Sequence, residues 1–159
     1  MEKVIAIIRK SADTEDVYYQ TKKINDFCER NDYHIERTIT NDTMGIIGGR
    51  EIDRTIKFAH EHGISRMVLI GISRLGNKAL IIRQTIKTLN DAGIRLTCAE
   101  TGMTIYISQD RTKYDERSLV LYNTLDEIIT MEVLNEKDRK LKLTAQRTYY
   151  RDKKNKRKS

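Results

Sequence analysis

Short apolar runs alternate along the first two thirds of the chain with segments whose apolar residues recur at helical spacing. Runs at 4–8, 33–39, 67–72 and 94–99 predict buried strands, and a shorter one at 103–108 follows. Helices between them are indicated by apolar stripes: Val17, Ile24, Phe27 and Cys28; Ile52, Ile56 and Ala59; and Ala79, Ile82, Ile86 and Leu89, ended by Gly93. The order βαβαβαβ predicts an α/β fold with a mostly parallel sheet of four to five strands and helices on both faces. Ligands are expected where the carboxyl ends of the strands open into loops.

The pattern then changes to one long helix, predicted from about 115 to 149, with no proline in the chain to break it. Its apolar stripe is wider than one domain face uses, and comprises Leu119, Tyr122, Leu125, Ile129 and Val133, flanked by Leu121, Ile128, Met131 and Leu134. We therefore expect an α/β domain over 1–112, an oligomerisation helix over 113–149 and a disordered basic tail over 150–159. The alternative is a helix that packs only on its own sheet and then frays.

Composition narrows the class of protein. With 159 residues, 38% of them apolar and 33% charged, the chain has the size and composition of one globular domain. It has no apolar stretch of membrane-spanning length and no signal-peptide pattern at its start, which predicts a cytoplasmic protein. Cys28 and Cys98 lie in apolar segments without a CxxC partner, so we expect reduced, buried thiols.

The net charge of +7 is concentrated at the chain's end. Residues 137–159 hold 11 Lys and Arg against two Asp, a charge of +9, which leaves −2 for the remainder. Dense positive charge on one segment favours a polyanion such as a nucleic acid, although a solubilising terminus is the alternative. Contacts with DNA are expected from eight residues: Lys78, Arg147, Arg151, Lys153, Lys154, Lys156, Arg157 and Lys158.

The end of the first strand carries the first candidate chemistry. Arg9, Lys10 and Ser11 stand there, and Gln20 follows nine residues after the serine. A hydroxyl beside cations is suited to attack on an anion, and a phosphodiester is the natural target. The alternative is that Ser11 only caps the next helix.

Two further arginines are predicted at the same edge of the sheet. Arg74 follows the third strand, and Arg50 follows a glycine-bearing loop at 41–49. A helix beginning near 79 would offer backbone N–H groups to a phosphate. Each arginine alone is most often a surface cation, but Arg9, Arg50 and Arg74 together predict an anion site.

These residues resemble the catalytic domain of the serine recombinases, the resolvases and invertases. That family opens with a strand, Tyr-x-Arg-x-Ser and a glutamine nine residues on, and continues with a glycine-bearing loop, Asp-Arg-Leu-x-Arg and a long oligomerising helix. The resemblance covers about 1–136 and rests on six positions: Arg9, Ser11, Gln20, Arg50, Arg74 and Leu75. It implies DNA recombination, as in DNA integration and mobile elements, by a homo-oligomer, dimer or tetramer, paired through the long helix.

The resemblance also implies a role for each candidate residue. Ser11 would attack a DNA phosphate and become linked to the 5′ end. Arg9 and Arg74 would stabilise the charge developing on phosphorus, Arg50 would assist, and Gln20 would help to hold the constellation.

The chain departs from the family pattern at the site itself. Ile7 replaces the tyrosine, Ser73 the aspartate and Asn77 the second arginine, and Gly45 stands near the place of the loop serine.

Residues 148–158 are too few for a packed DNA-reading module, so phosphate contacts by the arm are favoured over sequence-specific docking. The departures favour either a recombinase of reduced activity or a catalytically silent, DNA-binding or recombinase-associated oligomer; a scaffold that never meets DNA is a third hypothesis.

Other chemistries find little support. His60 and His62 diverge on a helix, and His34 has no nearby cysteine pair, so no metal site is predicted. The first strand is not followed by a nucleotide-binding glycine pattern. We therefore expect no cofactor, no small-molecule substrate and no membrane partner.

Overall fold

Five strands and four helices lie in the described part of the chain, residues 1–10, 12–41, 49–106 and 116–158 of a computed structural model. The strands are β1 (Glu2–Arg9), β2 (Tyr33–Asn41), β3 (Arg66–Leu69), β4 (Arg95–Cys98) and β5 (Thr104–Ile105). The helices are α1 (Thr14–Arg30), α2 (Gly49–Glu61), α3 (Ala79–Asp91) and α4 (Glu116–Lys158), with a 3₁₀ turn at Ile72–Leu75. The predicted order of elements is confirmed.

The sheet has the strand order β2-β1-β3-β4-β5. All neighbours are parallel except β5, which runs antiparallel to β4. From β1 the chain moves to β2 on one side, then returns to β3 on the other, so the direction of winding reverses between β1 and β3. In doubly wound sheets this reversal opens a crevice beyond the carboxyl ends of the strands.

Alternate residues of β1 enter two cores, which explains its unbroken apolar run. Val4, Ala6 and Ile8 pack with the buried residues of α1 on one face. Ile5 and Ile7 face the opposite core, which contains residues of α2, α3 and α4. A strand covered on both faces has no position for a polar side chain. The predicted helices on both faces are confirmed.

A buried polar contact fixes α4 to the domain. The Tyr122 hydroxyl donates to Oδ1 of Asn90 on α3 at 3.3 Å, while Nδ2 of Asn90 donates to the carbonyls of Ile94 and Ile105 at 2.9 and 3.3 Å. Asn90 is 2% exposed, and its amide thus makes its hydrogen bonds inside the core, as buried polar groups generally do. Burial raises the pKa of Tyr122 to about 12.

The structure corrects one prediction about the long helix and shows where its contact with the domain ends. Residues 150–158 belong to α4, so a disordered tail is wrong there; Lys and Arg are good helix formers, and no Gly or Pro interrupts them. Val133 is exposed, unlike Tyr122, Leu125 and the partly buried Ile129. The helix therefore leaves the domain near residue 132, and 133–158 extend about 39 Å beyond it at 1.5 Å per residue.

Both cysteines are free and buried. Burial raises the pKa of each thiol to about 11, which keeps them protonated at neutral pH. Within the described ranges, no helix has the length and apolar character needed to cross a membrane.

Candidate active site

The candidate site lies at the carboxyl edge of β1 and β3, where the winding of the sheet reverses. Arg9 ends β1, and the 3₁₀ turn that carries Arg74 follows two residues after β3. Because β1 and β3 are parallel neighbours, Arg9 and Ser73, which are 64 positions apart in the sequence, meet here.

Gln20 holds the end of β1 through its side-chain amide. Its Oε1 accepts from the Arg9 backbone N–H at 2.9 Å, and its Nε2 donates to the Arg9 carbonyl at 3.0 Å. The side chain is fully buried. This reciprocal pair satisfies both backbone groups of Arg9 and fixes the chain two residues before Ser11.

The Arg9 side chain reaches across to the 3₁₀ turn. Its Nη1 donates to the Ser73 carbonyl at 3.2 Å. The segment after β1 is thereby tied to the segment after β3, at the residue immediately before Arg74.

Arg74 reaches in the other direction, to α1. Its Nη1 lies 2.9 Å from Oδ2 of Asp16, and the two side chains are 24% and 23% exposed. The same Oδ2 accepts from Nε2 of Gln20 at 3.0 Å. Arg9, Gln20 and Arg74, predicted to converge, are thus brought together in one hydrogen-bonded group.

Asp16 belongs to this group and was missed by the sequence analysis. One signal was present: Asp16 and Gln20 are four residues apart, the spacing that places side chains on the same face of a helix. Nothing in the sequence indicated that this face meets Arg74, which is 58 residues away.

The structure does not test the predicted roles of two residues. Ser11 lies outside the described residues, as does most of the glycine-bearing loop, 42–48. Arg50 is the second residue of α2, a helix that begins at the same edge because it follows the parallel strand β2. The proposed roles of both residues stay predictions.

The start of α3 differs from its predicted state. Lys78 is exposed and stands at the N-cap, without a side-chain capping bond. The Ala79 N–H donates to Oε1 of Glu132 on α4 at 3.2 Å. One of the backbone N–H groups that this helix is expected to offer to a phosphate is therefore already bound by a carboxylate from α4.

The predicted DNA-binding residues of α4 are all exposed. Five cations of α4 follow one another at intervals of seven, four, three and four residues, so they lie on one side of the helix. We name this side the basic face; it consists of Lys140, Arg147, Arg151, Lys154 and Lys158. Lys142, Lys153 and Lys156 lie on the opposite side of the same helix. Because residues 150–158 are helical, their cations are distributed over defined sides of the helix, which would not be so in a disordered segment.

Exposed apolar residues cover another side of α4. We name as the outer apolar face Val120, Met131, Leu134 and Leu141, which are 58–69% exposed. Their spacing places them opposite Tyr122, Leu125 and Ile129, which contact the domain. Exposed apolar side chains grouped on one side of a helix are candidates for an interaction surface.

Comparison with known proteins gives consistent results. The family model described as "Resolvase, N terminal domain" matches residues 4–155. No curated protein matches the chain at a significant level.

Solved structures with the same fold include two recombination proteins. The crystal structure of a resolvase family site-specific recombinase from Streptococcus pneumoniae is 19% identical and has a TM-score of 0.69; the match covers 93% of this chain and 99% of that one. The N-terminal catalytic domain of TP901-1 integrase is 13% identical with a TM-score of 0.59, and the match covers 89% and 99% of the two chains.

Proposed function

This chain belongs to the resolvase family of site-specific recombinases, and from that premise we propose that it cleaves and rejoins DNA through a covalent link to Ser11. The Ser11 Oγ attacks a backbone phosphorus and loses its proton to solvent, and the bond from phosphorus to the 3′ oxygen breaks as that oxygen takes up a proton from solvent. The products are a 5′-phosphoserine link and a free 3′ hydroxyl. Attack by a 3′ hydroxyl on that link reverses the step and releases the serine, so strands are rejoined without an external energy source.

The grouping of Arg9, Gln20 and Arg74 carries this proposal. Phosphoryl transfer places negative charge on the phosphate oxygens in the transition state, and fixed guanidinium groups stabilise that charge without reorganising. Arg9 and Arg74 come from two different strand ends and are held by contacts of 3.2 and 2.9 Å. The buried Gln20 fixes the backbone next to the predicted nucleophile. Arg50, in the first turn of α2, is proposed to assist.

Double-stranded DNA is the proposed partner of α4. The exposed cations of the helix project beyond the domain and can follow a phosphate backbone, and binding would release condensed counterions. Lys78 is proposed to contact DNA nearer the site. We place the reaction in the cytoplasm, where DNA is accessible and the two buried thiols stay reduced.

The outer apolar face supports a homo-oligomer. Pairing two copies through Met131 and Leu134 would remove exposed apolar area from water. An isologous dimer would also place two catalytic sites on opposite strands of the duplex, as double-strand cleavage requires. A tetramer follows if two such dimers meet.

A second function, DNA binding without cleavage, is favoured by the departures at the site. Ile7, which replaces the family's tyrosine, is fully buried, so it contributes packing and no hydroxyl. Ser73 is exposed, and its backbone carbonyl, rather than a carboxylate, meets Arg9. A silent relative would keep the fold, α4 and DNA binding but form no covalent intermediate.

A covalent-capture experiment separates the two functions. Duplexes with a randomised core are incubated with the full chain, denatured in SDS and tested for DNA joined to protein at a 5′ end. The recombinase proposal expects adducts with wild type and with Thr14→Ala, a nearby hydroxyl control, and none with Ser11→Ala. Duplex binding by wild type without any adduct would favour the silent relative, and equal capture by Ser11→Ala would reject Ser11 as the nucleophile.

A further inference from the structure

Asp16 joins two side chains of the candidate site through a single oxygen atom. Its Oδ2 accepts from Nη1 of Arg74 at 2.9 Å and from Nε2 of Gln20 at 3.0 Å. Gln20 in turn holds both backbone groups of Arg9. Asp16 therefore connects Arg74, after β3, to the end of β1 through one continuous set of hydrogen bonds.

The contact fixes the guanidinium more firmly than a surface ion pair would. Arg74 and Asp16 are each about three-quarters buried, so water screens the pair less than it screens exposed ions. A guanidinium is planar and rigid, so a hydrogen bond to one Nη restricts the orientation of the whole group. Gln20, which is fully buried, holds the carboxylate in turn and limits its rotation.

The Asp16 carboxylate meets the same arginine that follows Ser73, the residue that replaces the family's aspartate. In the pattern that the chain resembles, an aspartate directly precedes the arginine, whereas this chain has Ser73 there. Ser73 contributes its backbone carbonyl to Arg9. The carboxylate that meets Arg74 comes instead from α1, 57 residues before position 73.

We propose that Asp16 is a positioning residue that holds the Arg74 guanidinium toward the reacting phosphate and so supplies the orienting charge that Ser73 lacks. The inference rests on the proposed recombinase function, because it gives Arg74 a phosphate to face. It implies that the substitution at 73 leaves Arg74 oriented. Asp16 acts only through Arg74 and Gln20 and does not contact DNA.

Three variants test the role of Asp16 in the reaction. Asp16→Ala removes the acceptor and the charge, Asp16→Asn keeps an oxygen acceptor without the charge, and Glu15→Gln removes an exposed charge one residue away. Misplacement of a reacting group by about 1 Å costs on the order of 100-fold in rate. We expect Asp16→Ala to slow adduct formation by about 100-fold, Asp16→Asn to recover part of that loss, and Glu15→Gln to react as wild type. The dissociation constant for duplex DNA should change less than about twofold in all three.

The rate of adduct formation decides whether Asp16 has the proposed positioning role. An Asp16→Ala variant that forms adducts at the wild-type rate would overturn the inference, as would one that reacts faster, since Asp16 would then compete with the phosphate. If Asp16→Ala fails to fold, Asp16→Asn decides: a wild-type rate there shows that the charge is not required.

An NMR measurement keeps this inference separate from the proposed function. The Nη signals of Arg74 in ¹⁵N-labelled protein, assigned with Arg74→Lys, report whether the guanidinium is held. We expect resolved, slowly exchanging signals in wild type and Glu15→Gln that broaden in Asp16→Ala. Absence of adducts with wild type would refute the recombinase proposal alone, whereas unchanged Arg74 signals in Asp16→Ala would refute the positioning role whether or not DNA is cut.

Discussion

Gln20 and Arg9 exchange two hydrogen bonds, side-chain amide to backbone, at 2.9 and 3.0 Å. These bonds engage the last residue of β1, which also pairs with Asn41 of β2. A buried amide is thus used to hold the chain two residues before the candidate nucleophile.

Gln20→Leu should destabilise the protein and lower its activity. The substitution leaves the N–H and carbonyl of Arg9 without the partner they have now, and each buried unsatisfied group costs about 1–3 kcal/mol. We expect a loss of about 2–4 kcal/mol in the free energy of unfolding, measured by urea denaturation. Gln84→Leu, a substitution of the same kind on α3, is the control, since that side chain is exposed. Equal losses in both variants would show that the contact with Arg9 contributes nothing.

Stability should fall in alkaline solution as Tyr122 begins to ionise in the unfolded chain. Burial raises the pKa of Tyr122 from 10.0 to about 12, so above pH 10 the unfolded state binds fewer protons than the folded state. The free energy of unfolding therefore decreases between about pH 10 and 12. Tyr122→Phe should show a shallower decrease over that interval in denaturation curves.

The thiols contribute in the same direction at slightly lower pH. The pKa values of Cys28 and Cys98 rise from 9.0 to about 11, so their stabilising effect is lost as pH rises from 9 to 11.

A pH profile of stability for Tyr122→Phe as steep as that of wild type between pH 10 and 12 would show that the tyrosine does not cause the loss of stability there.

The basic face of α4 should dominate the salt dependence of DNA binding. Replacing Arg151, Lys154 and Lys158 with Gln removes three cations from that face, and each phosphate contact contributes about 0.9 to the slope of log K against log salt. We expect the slope to become shallower by about 2–3, measured by fluorescence anisotropy on a duplex.

A charge-matched variant provides the control for that slope. Lys142, Lys153 and Lys156 replaced with Gln remove the same charge from the opposite side of the helix. Equal changes in both variants would mean that the arm binds without a preferred face, and no change in either would exclude α4 as the DNA contact.

The outer apolar face should govern self-association. Met131→Glu combined with Leu134→Glu places two charges where exposed apolar side chains stand now, and burying an unpaired charge in an interface is strongly unfavourable. We expect sedimentation velocity to show a shift to monomer. Leu143→Glu, on a different side of α4, should leave association unchanged; dissociation by Leu143→Glu alone would argue against the assigned face.

Local pattern predicted most of the fold. The apolar run of β1 and the stripe of Ile24, Phe27 and Cys28 on α1 encode strand and helix directly, because burial of every residue, or of every third and fourth, is a property of neighbouring positions. The family resemblance likewise depended on local spacing, such as that from Ser11 to Gln20. The end of α4 is helical and not disordered, because Lys and Arg favour helices when nothing breaks them, so charge density alone does not indicate disorder.

The sequence by itself determined the order of strands and helices, the concentration of positive charge at one end and the residue types available at the strand ends. Only the tertiary structure decided which of them meet: Asp16 with Arg74 across 58 residues, and Glu132 with the start of α3 across 53. Helical and strand periodicity is set by a residue's neighbours in the chain. Contacts between side chains far apart in sequence depend on how the sheet winds and where α4 crosses it, which no local pattern specifies.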